Sequence, residues 1–289
     1  MIEVNMAPEC DAAPHKDEGS RGRSTLIYHV LLVVMAMTTV LPFVWMVLAS
    51  FKPQAEIESI NPFPSRWHPE NYPAVFQQIP FARYYLNSFF IACWVTLLQC
   101  LTSAMAAYAF ARIQWRGRDT VFKLYIATMM IPGVVTMIPN YTLMVKLGLL
   151  DSYAGLIIPA SFSAFGTFLL RQFMLTIPQS LDEAASIDGA SHWQIFWNVI
   201  MPMTRPGLIT LSIFVFLGNY RSFFWPLILI KSEYLRTLPI GMLYFDSIYG
   251  KQTNVLMAAT LMCIIPLIIL FITGQKFIVK GIQLGAVKG

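Results

Sequence analysis

From Ser24 to Phe51 the chain carries no Asp, Glu, Lys or Arg, and the same holds for Tyr84 to Ala111, Leu124 to Val145, Ser152 to Leu170 and Gln252 to Gln275. A sixth run, Pro206 to Ile230, is interrupted only by Arg221. Crossing a bilayer core of roughly 30 Å takes about 20 apolar residues in a helix. A membrane barrel would instead show segments of about ten residues alternating in and out, and these runs are apolar all round. The expectation is an all-α integral membrane fold of six transmembrane helices with short connections. Composition agrees: charged residues make up 12% of the chain, about half the share of an ordinary soluble domain.

The first run is too long for a secretory leader and no small-x-small cleavage site follows it, so it reads as an uncleaved first helix. Residues 1–23 are polar and rich in charge, and read as a disordered cytoplasmic tail. Residues 24–282 form the expected transmembrane domain, and residues 283–289 a second cytoplasmic tail. The net charge is +5. The short loop Arg112-Ile-Gln-Trp-Arg-Gly-Arg fixes the orientation, because short basic loops stay in the cytoplasm. Both termini then face the cytoplasm. Positive-inside bias accounts for the basic balance without a nucleic-acid partner. Cys10, Cys93, Cys100 and Cys263 have no zinc spacing, and intramembrane cysteine behaves as a small hydrophobe.

Between the runs lie five loops. The outer loop from Lys52 to Arg83 is rich in Pro and aromatic residues, which predicts an ordered cap with a short interfacial helix around Ala74 to Gln78. The inner loop 171–206 is the most informative stretch. Ser180 with Glu183 and Ser191 with Gln194 have the spacing of helix-capping boxes. Gly189 stands between them, able to take positive φ and end the first helix. Pro202 and Pro206 would close the second. The expected product is two short helices with a sharp bend at the inner membrane face. Ala184 and Ala185 allow close approach of another backbone, while Ile187, Trp193, Ile195, Phe196 and Trp197 are large and apolar. Such a surface fits either docking of a partner or an amphipathic element resting on the bilayer.

Glu183-Ala184-Ala185, three residues, Gly189, nine residues and then Val199-Ile200-Met201-Pro202 resemble the EAA loop of ABC importer permeases. Only Val for Ile and Met for Leu depart from that pattern. The loop follows the fourth of six helices, as in carbohydrate-type permeases similar to the smaller membrane subunit of the maltose importer. Ala106-Ala107-Tyr108-Ala109-Phe110-Ala111-Arg112, Arg171-Gln172-Phe173 and Trp225-Pro226-Leu227 also fit. The resemblance implies the ABC type I importer permease fold, with Glu183, Ala184, Ala185, Asp188 and Gly189 seated in a cleft of a cytoplasmic ATPase and Ala190 and Trp193 adjacent. It further implies two ATPase subunits, which bind ATP and Mg so that this chain has no cofactor of its own. A second, homologous permease subunit, an extracytosolic solute-binding protein and a carbohydrate substrate complete the implied set, in the bacterial inner membrane.

Arg221 is the one ionisable residue well inside a predicted span, where a charge costs at least about 2.5–3.5 kcal/mol in lipid. The family usually has Trp-Asn and an acidic or polar residue here, and this chain reads Tyr220-Arg221-Ser222-Phe223-Phe224-Trp225-Pro226. Two roles fit Arg221: pairing with a carboxylate of the second permease or snorkelling to the outer surface, or binding an anionic glycan such as a uronate or phosphorylated sugar. Tyr220, Phe224 and Trp225 would then offer stacking faces, and Asn219 and Ser222 hydrogen bonds. Pro132, Pro139 and Pro159 with Gly133 and Gly155 predict kinked helices. The outer loop 231–251 is the expected contact for the binding protein.

No G-x-x-x-x-G-K-[ST] occurs, so no phosphate loop lies in this chain. No nucleophile–base set or metal cluster is visible in the spans, which argues against an enzyme. A secondary transporter or channel not driven by ATP is the alternative; the absence of Asp and Glu from the spans argues against ion coupling. The expected mechanism is alternating access, driven through the bent helix pair.

Overall fold

The structure is a computed structural model that describes residues 18–247 and 252–286, with side chains at 25–245 and 252–275. The described residues are helical, with no strand among them. Three helices are long and apolar enough to cross a bilayer unbroken: Thr25–Ser50 within α1 (Glu18–Ser50), α3 (Phe81–Ala111) and Thr253–Gln275 of the last helix. At 1.5 Å per residue, the 31 residues of α3 extend about 46 Å. Helix α1 begins at Glu18, inside the expected N-terminal tail, and the last helix continues to Ala286.

The other three runs are interrupted. The third, expected as one span, is two ten-residue helices, α4 (Arg118–Ala127) and α5 (Met137–Lys146), separated by a 3-10 turn over Thr128–Met130 and by Pro132-Gly133. Proline offers no N–H to the ladder and disfavours helical backbone before it. The fourth run is α6 (Tyr153–Ala160) and α7 (Ala164–Leu175), bent by 41°. Pro159 lies in the last turn of α6, and the Ser163 hydroxyl accepts the Gly166 N–H to start α7 afresh. The Thr102 hydroxyl of α3 donates to the Ser161 carbonyl in the gap at 2.6 Å. Non-helical backbone persists at membrane depth only where protein supplies such partners.

The fifth run divides into α10 (Arg205–Tyr220) and α11 (Phe224–Leu229). Between α7 and α10 lie α8 (Ser180–Ile187) and α9 (His192–Met203), and α9 meets α10 at 76°. The sixth run is α12 (Thr253–Ala286).

Helix α3 is the axis, packed along α7 on one side and α10 on the other, while α12 packs on α10, α1 and the outer helix α2 (Asn71–Gln78). Small residues permit this closeness. Ala104 and Ala107 of α3 are fully buried. A Cβ on Gly207 would stand 2.7 Å from the Phe173 ring. The outer loop is the ordered cap expected, although α2 starts three residues earlier than predicted, at Asn71. That side chain donates to the carbonyls of Ser50 at 2.8 Å and Lys52 at 3.0 Å, ending α1. In the outer loop after α11, Leu235 and Phe245 are core residues and Tyr234 is exposed; its last residues, 248–251, lie outside the described residues.

Candidate functional site

Helix α8 ends as a helix with a left-handed residue at its stop should. Gly189 has φ +82°, its N–H donates to the Ser186 carbonyl at 3.1 Å, and the Ala190 N–H reaches back to the Ala185 carbonyl at 2.9 Å. This pair of bonds is the Schellman arrangement. Ala185 and Ala190 are half-buried against the core, as the accompanying contact requires. The next helix starts on a complete capping box: Ser191 Oγ accepts from Gln194 N, and Gln194 Oε1 accepts from Ser191 N at 2.7 Å. The box expected at Ser180 and Glu183 does not form. Both the Asp182 and the Glu183 N–H donate to the Gln179 carbonyl, so the backbone has already capped itself.

Helix α9 does not stop at Pro202. It widens into a π turn over Phe196–Ile200 and runs on to Met203. Proline cannot donate to the carbonyl four residues back and its ring crowds that carbonyl; one wide turn accommodates both. Pro206 sits in the first turn of α10, where a missing N–H costs nothing.

The bent pair is mounted rigidly and faces outward. Phe196 is buried, with its ring 5.2 Å from Tyr108 of α3. Tyr108 also reaches His192 Nδ1 at 3.4 Å. Trp193, stacked on Phe196 at 5.7 Å, is still 60% exposed and Ile187 86%, and Glu183, Ala184, Asp188 and Gly189 are exposed with them. Of the seven predicted contact residues, five are therefore exposed, and Ala185 and Ala190 pack inward.

Two residues outside that set hold the element. Arg112, at the end of α3, donates to the carbonyls of Met174 at 2.6 Å and Ile177 at 2.7 Å, and pairs with Asp182 at 3.2 Å. Its side chain is 4% exposed. One guanidinium thus ties α3 to the end of α7 and to the first turn of α8. Burial pushes the Asp182 carboxyl above its usual range, Arg112 pulls it back, and neighbouring Glu183 adds to the rise. Arg112 is marked in the sequence by closing the Ala-Phe-Ala-Arg stretch, but nothing there signals its reach across 62 residues to Met174.

Residues 99–283 match the family described as binding-protein-dependent transport system inner membrane component. The chain belongs to that family. The permease is 33% identical over 260 residues to the arabinooligosaccharide transport permease AraQ of Halalkalibacterium halodurans, covering 88% of this chain and 93% of that one. It is 30% identical to the sn-glycerol-3-phosphate transport permease UgpE of Yersinia pestis, covering 92% and 98%. A crystal structure of a bacterial ABC transporter that imports the acidic polysaccharide alginate contains a chain that superposes with a TM-score of 0.82 at 25% identity, over 91% of the permease and 99% of that chain. The fold is that of a type I importer permease, a translocation subunit and not an enzyme.

Four of the six predicted pathway residues line two separate clefts, and Asn219 and Ser222 line neither. Arg221 follows the last turn of α10, exposed, at the rim of a cavity of about 420 Å³ between α10 and α12 lined by Met242, Leu256 and Thr260. Its guanidinium has no hydrogen bond or ion pair among the described residues. The helix break thus removes Arg221 from the helical span expected for it. Tyr220 is buried, stacked on Phe216, with its hydroxyl donating to the Cys263 carbonyl at 3.3 Å. Asn219 donates to the Val215 carbonyl of its own helix, and Ser222 is half-buried in the break. Phe224 and Trp225 line a separate cleft of about 490 Å³ with Asn140, Pro159 and Gly133.

Proposed function

We propose that the permease is one of two related membrane subunits of an ATP-driven importer for an oligosaccharide or related carbohydrate, acidic glycans included. The second subunit is a homologous permease, an extracytosolic binding protein delivers the solute, and two cytoplasmic ATPase subunits hold ATP and Mg. The observation that carries this reading is the outward-facing bend at Gly189, an apolar and acidic knuckle clamped by Arg112 to α3 and α7. A push on that knuckle moves the helices that line the interior. ATP and the loaded binding protein drive transport only by favouring one of two arrangements over the other, and a rigid mount transmits that preference.

The carbohydrate class rests on the relatives, which include an arabinooligosaccharide permease and a chain of an alginate importer. It rests also on the cleft of Phe224, Trp225 and Asn140, which offers ring faces and an amide. The acidic option rests on Arg221, an unpaired cation at a cavity rim, suited to planar carboxylate or phosphate.

The experiment is ATPase activity of the reconstituted transporter with its binding protein and a panel of neutral, uronic-acid and phosphorylated glycans, for wild type and Arg221→Ala. Stimulation by an acidic glycan that disappears in the variant assigns Arg221 to substrate. Unchanged stimulation returns Arg221 to a structural role. Silence with every glycan removes the carbohydrate assignment.

A further inference from the structure

Helix α4 starts on the left-handed Gly117, φ +85°, directly after the basic turn. It brings Arg118 and Lys123 to the side on which α7 carries Arg171. These three cations, with Asp119, Phe122 and Ile126, line an open cavity of about 560 Å³. Arg171 lies over the Phe122 ring at 4.1 Å, and its Nε donates to the Phe110 carbonyl at 3.2 Å. Asp119 is the only carboxylate in the lining. It bonds Arg118 Nε at 3.1 Å and stands 3.9 Å from Arg171. That carboxylate is 65% exposed, while the Arg118 and Arg171 side chains are 19% and 15% exposed. Lys123 has no hydrogen bond or ion pair among the described residues. The cavity holds three positive charges against one negative, with its two guanidiniums largely out of water.

The same face continues as an apolar surface: Ile126, one turn beyond Phe122, lines the cavity, and Met129 and Met130 in the turn that follows are 46% and 83% exposed. A charge-deficient cationic cavity bordered by lipid-facing apolar side chains is complementary to an anionic amphiphile. We infer that this cavity is a binding site for an anionic phospholipid of the cytoplasmic leaflet, its phosphate between Arg118, Lys123 and Arg171 and an acyl chain along Ile126 and the two methionines beyond it. Basic pockets between membrane helices on the cytoplasmic side take such headgroups. A water-soluble phosphate would match the charges but leave the apolar border unused. The inference rests on the cytoplasmic placement of the Arg112–Arg118 loop, not on the transported solute.

The site sits on the mount of the bent pair. Arg171 precedes by one turn the Met174 carbonyl that Arg112 holds, and its own Nε ties α7 to the end of α3. A headgroup bridging α4 and α7 therefore braces the helix that leads into α8.

The test is lipid retention by the purified, delipidated transporter, titrated with phosphatidylglycerol or with phosphatidylcholine of the same acyl chains and read by native mass spectrometry. Wild type retains phosphatidylglycerol selectively. Lys123→Gln, which breaks no contact within the chain, weakens that retention about fivefold, and Arg118→Gln/Lys123→Gln weakens it about fivefold further. Lys146→Gln, an exposed cation at the far end of α5, leaves it unchanged. Equal retention by wild type and the double variant overturns the site. Displacement of the lipid by glycerol phosphate at comparable concentration overturns the lipid in favour of a soluble anion. Neither readout needs transport, so a failure of the carbohydrate reading leaves this test intact.

Discussion

Gly189 offers a graded test of how the bent pair works. Its φ is +82°, and a Cβ built on it meets nothing within 4 Å, so a side chain there is penalised by backbone conformation and not by collision inside the chain. An ordinary L residue in the left-handed region costs about 1–2 kcal/mol, a change of about 5–30-fold in the ratio of bent to unbent element. Asn and Asp adopt this region far more readily than other non-glycine residues, and a β-branched residue is an outlier in it. The expected order of binding-protein-stimulated ATPase and solute uptake in proteoliposomes is therefore wild type, then Gly189→Asn within about threefold, then Gly189→Ala, then Gly189→Val. Gly189→Asp has nearly the backbone tolerance of Asn and adds a carboxylate beside Asp188. If the knuckle seats in a partner cleft, Asp uncouples ATP hydrolysis from transport where Asn does not. Asn failing as badly as Val would show that a bare glycine surface, not the bend, is what the partner needs. Full coupling in Val would refute the reasoning altogether.

Two further outcomes follow from the mounts. Arg112→Gln takes the guanidinium from the Met174 and Ile177 carbonyls and the cation from Asp182; breaking a buried pair in this way costs about 3–5 kcal/mol, and the expected result is a lowered melting temperature in detergent together with lost coupling. At the outer surface Asp151, itself at φ +52°, accepts the N–H of Lys231 and of Ser232 at 2.9 Å each and the Ser232 hydroxyl. These bonds hold its carboxyl below the ordinary Asp value of 3.8. The tie between the two outer loops is thus complete above pH 3.8 and is lost as pH falls through the lowered value. At so exposed a site it contributes about 1 kcal/mol, and a pH series of melting temperatures should show a step at the acid end that Asp151→Asn removes.

Much of the bent helix pair was legible in the sequence because its determinants are local. Gly189 and the Ser191–Gln194 box act within one helical turn, so spacing alone foretold the bend and the new start. The Ser180–Glu183 box had the same spacing and did not form, because the Gln179 carbonyl took both amide protons first. Sequence spacing marked the seven proposed contact residues as a group, but not which of them are exposed. Ala185 and Ala190 look interchangeable with Ala184 until α8 is laid on the core.

The sequence by itself determined that this chain lives in a bilayer, where its apolar runs lie, and which loop bends. Those properties follow from side-chain transfer free energies and from residue-specific φ preferences, and neither depends on distant neighbours. Tertiary structure decided which of the proline-marked kinks open into full breaks. The gap between α6 and α7 is tolerable because Thr102, 59 residues away, takes the Ser161 carbonyl. It also decided that Arg112 reaches Met174 and Asp182, and that Arg221 and Trp225 face different clefts. Hydropathy scores each side chain against lipid, whereas a broken helix in a membrane survives only if its freed backbone groups find partners elsewhere in the fold.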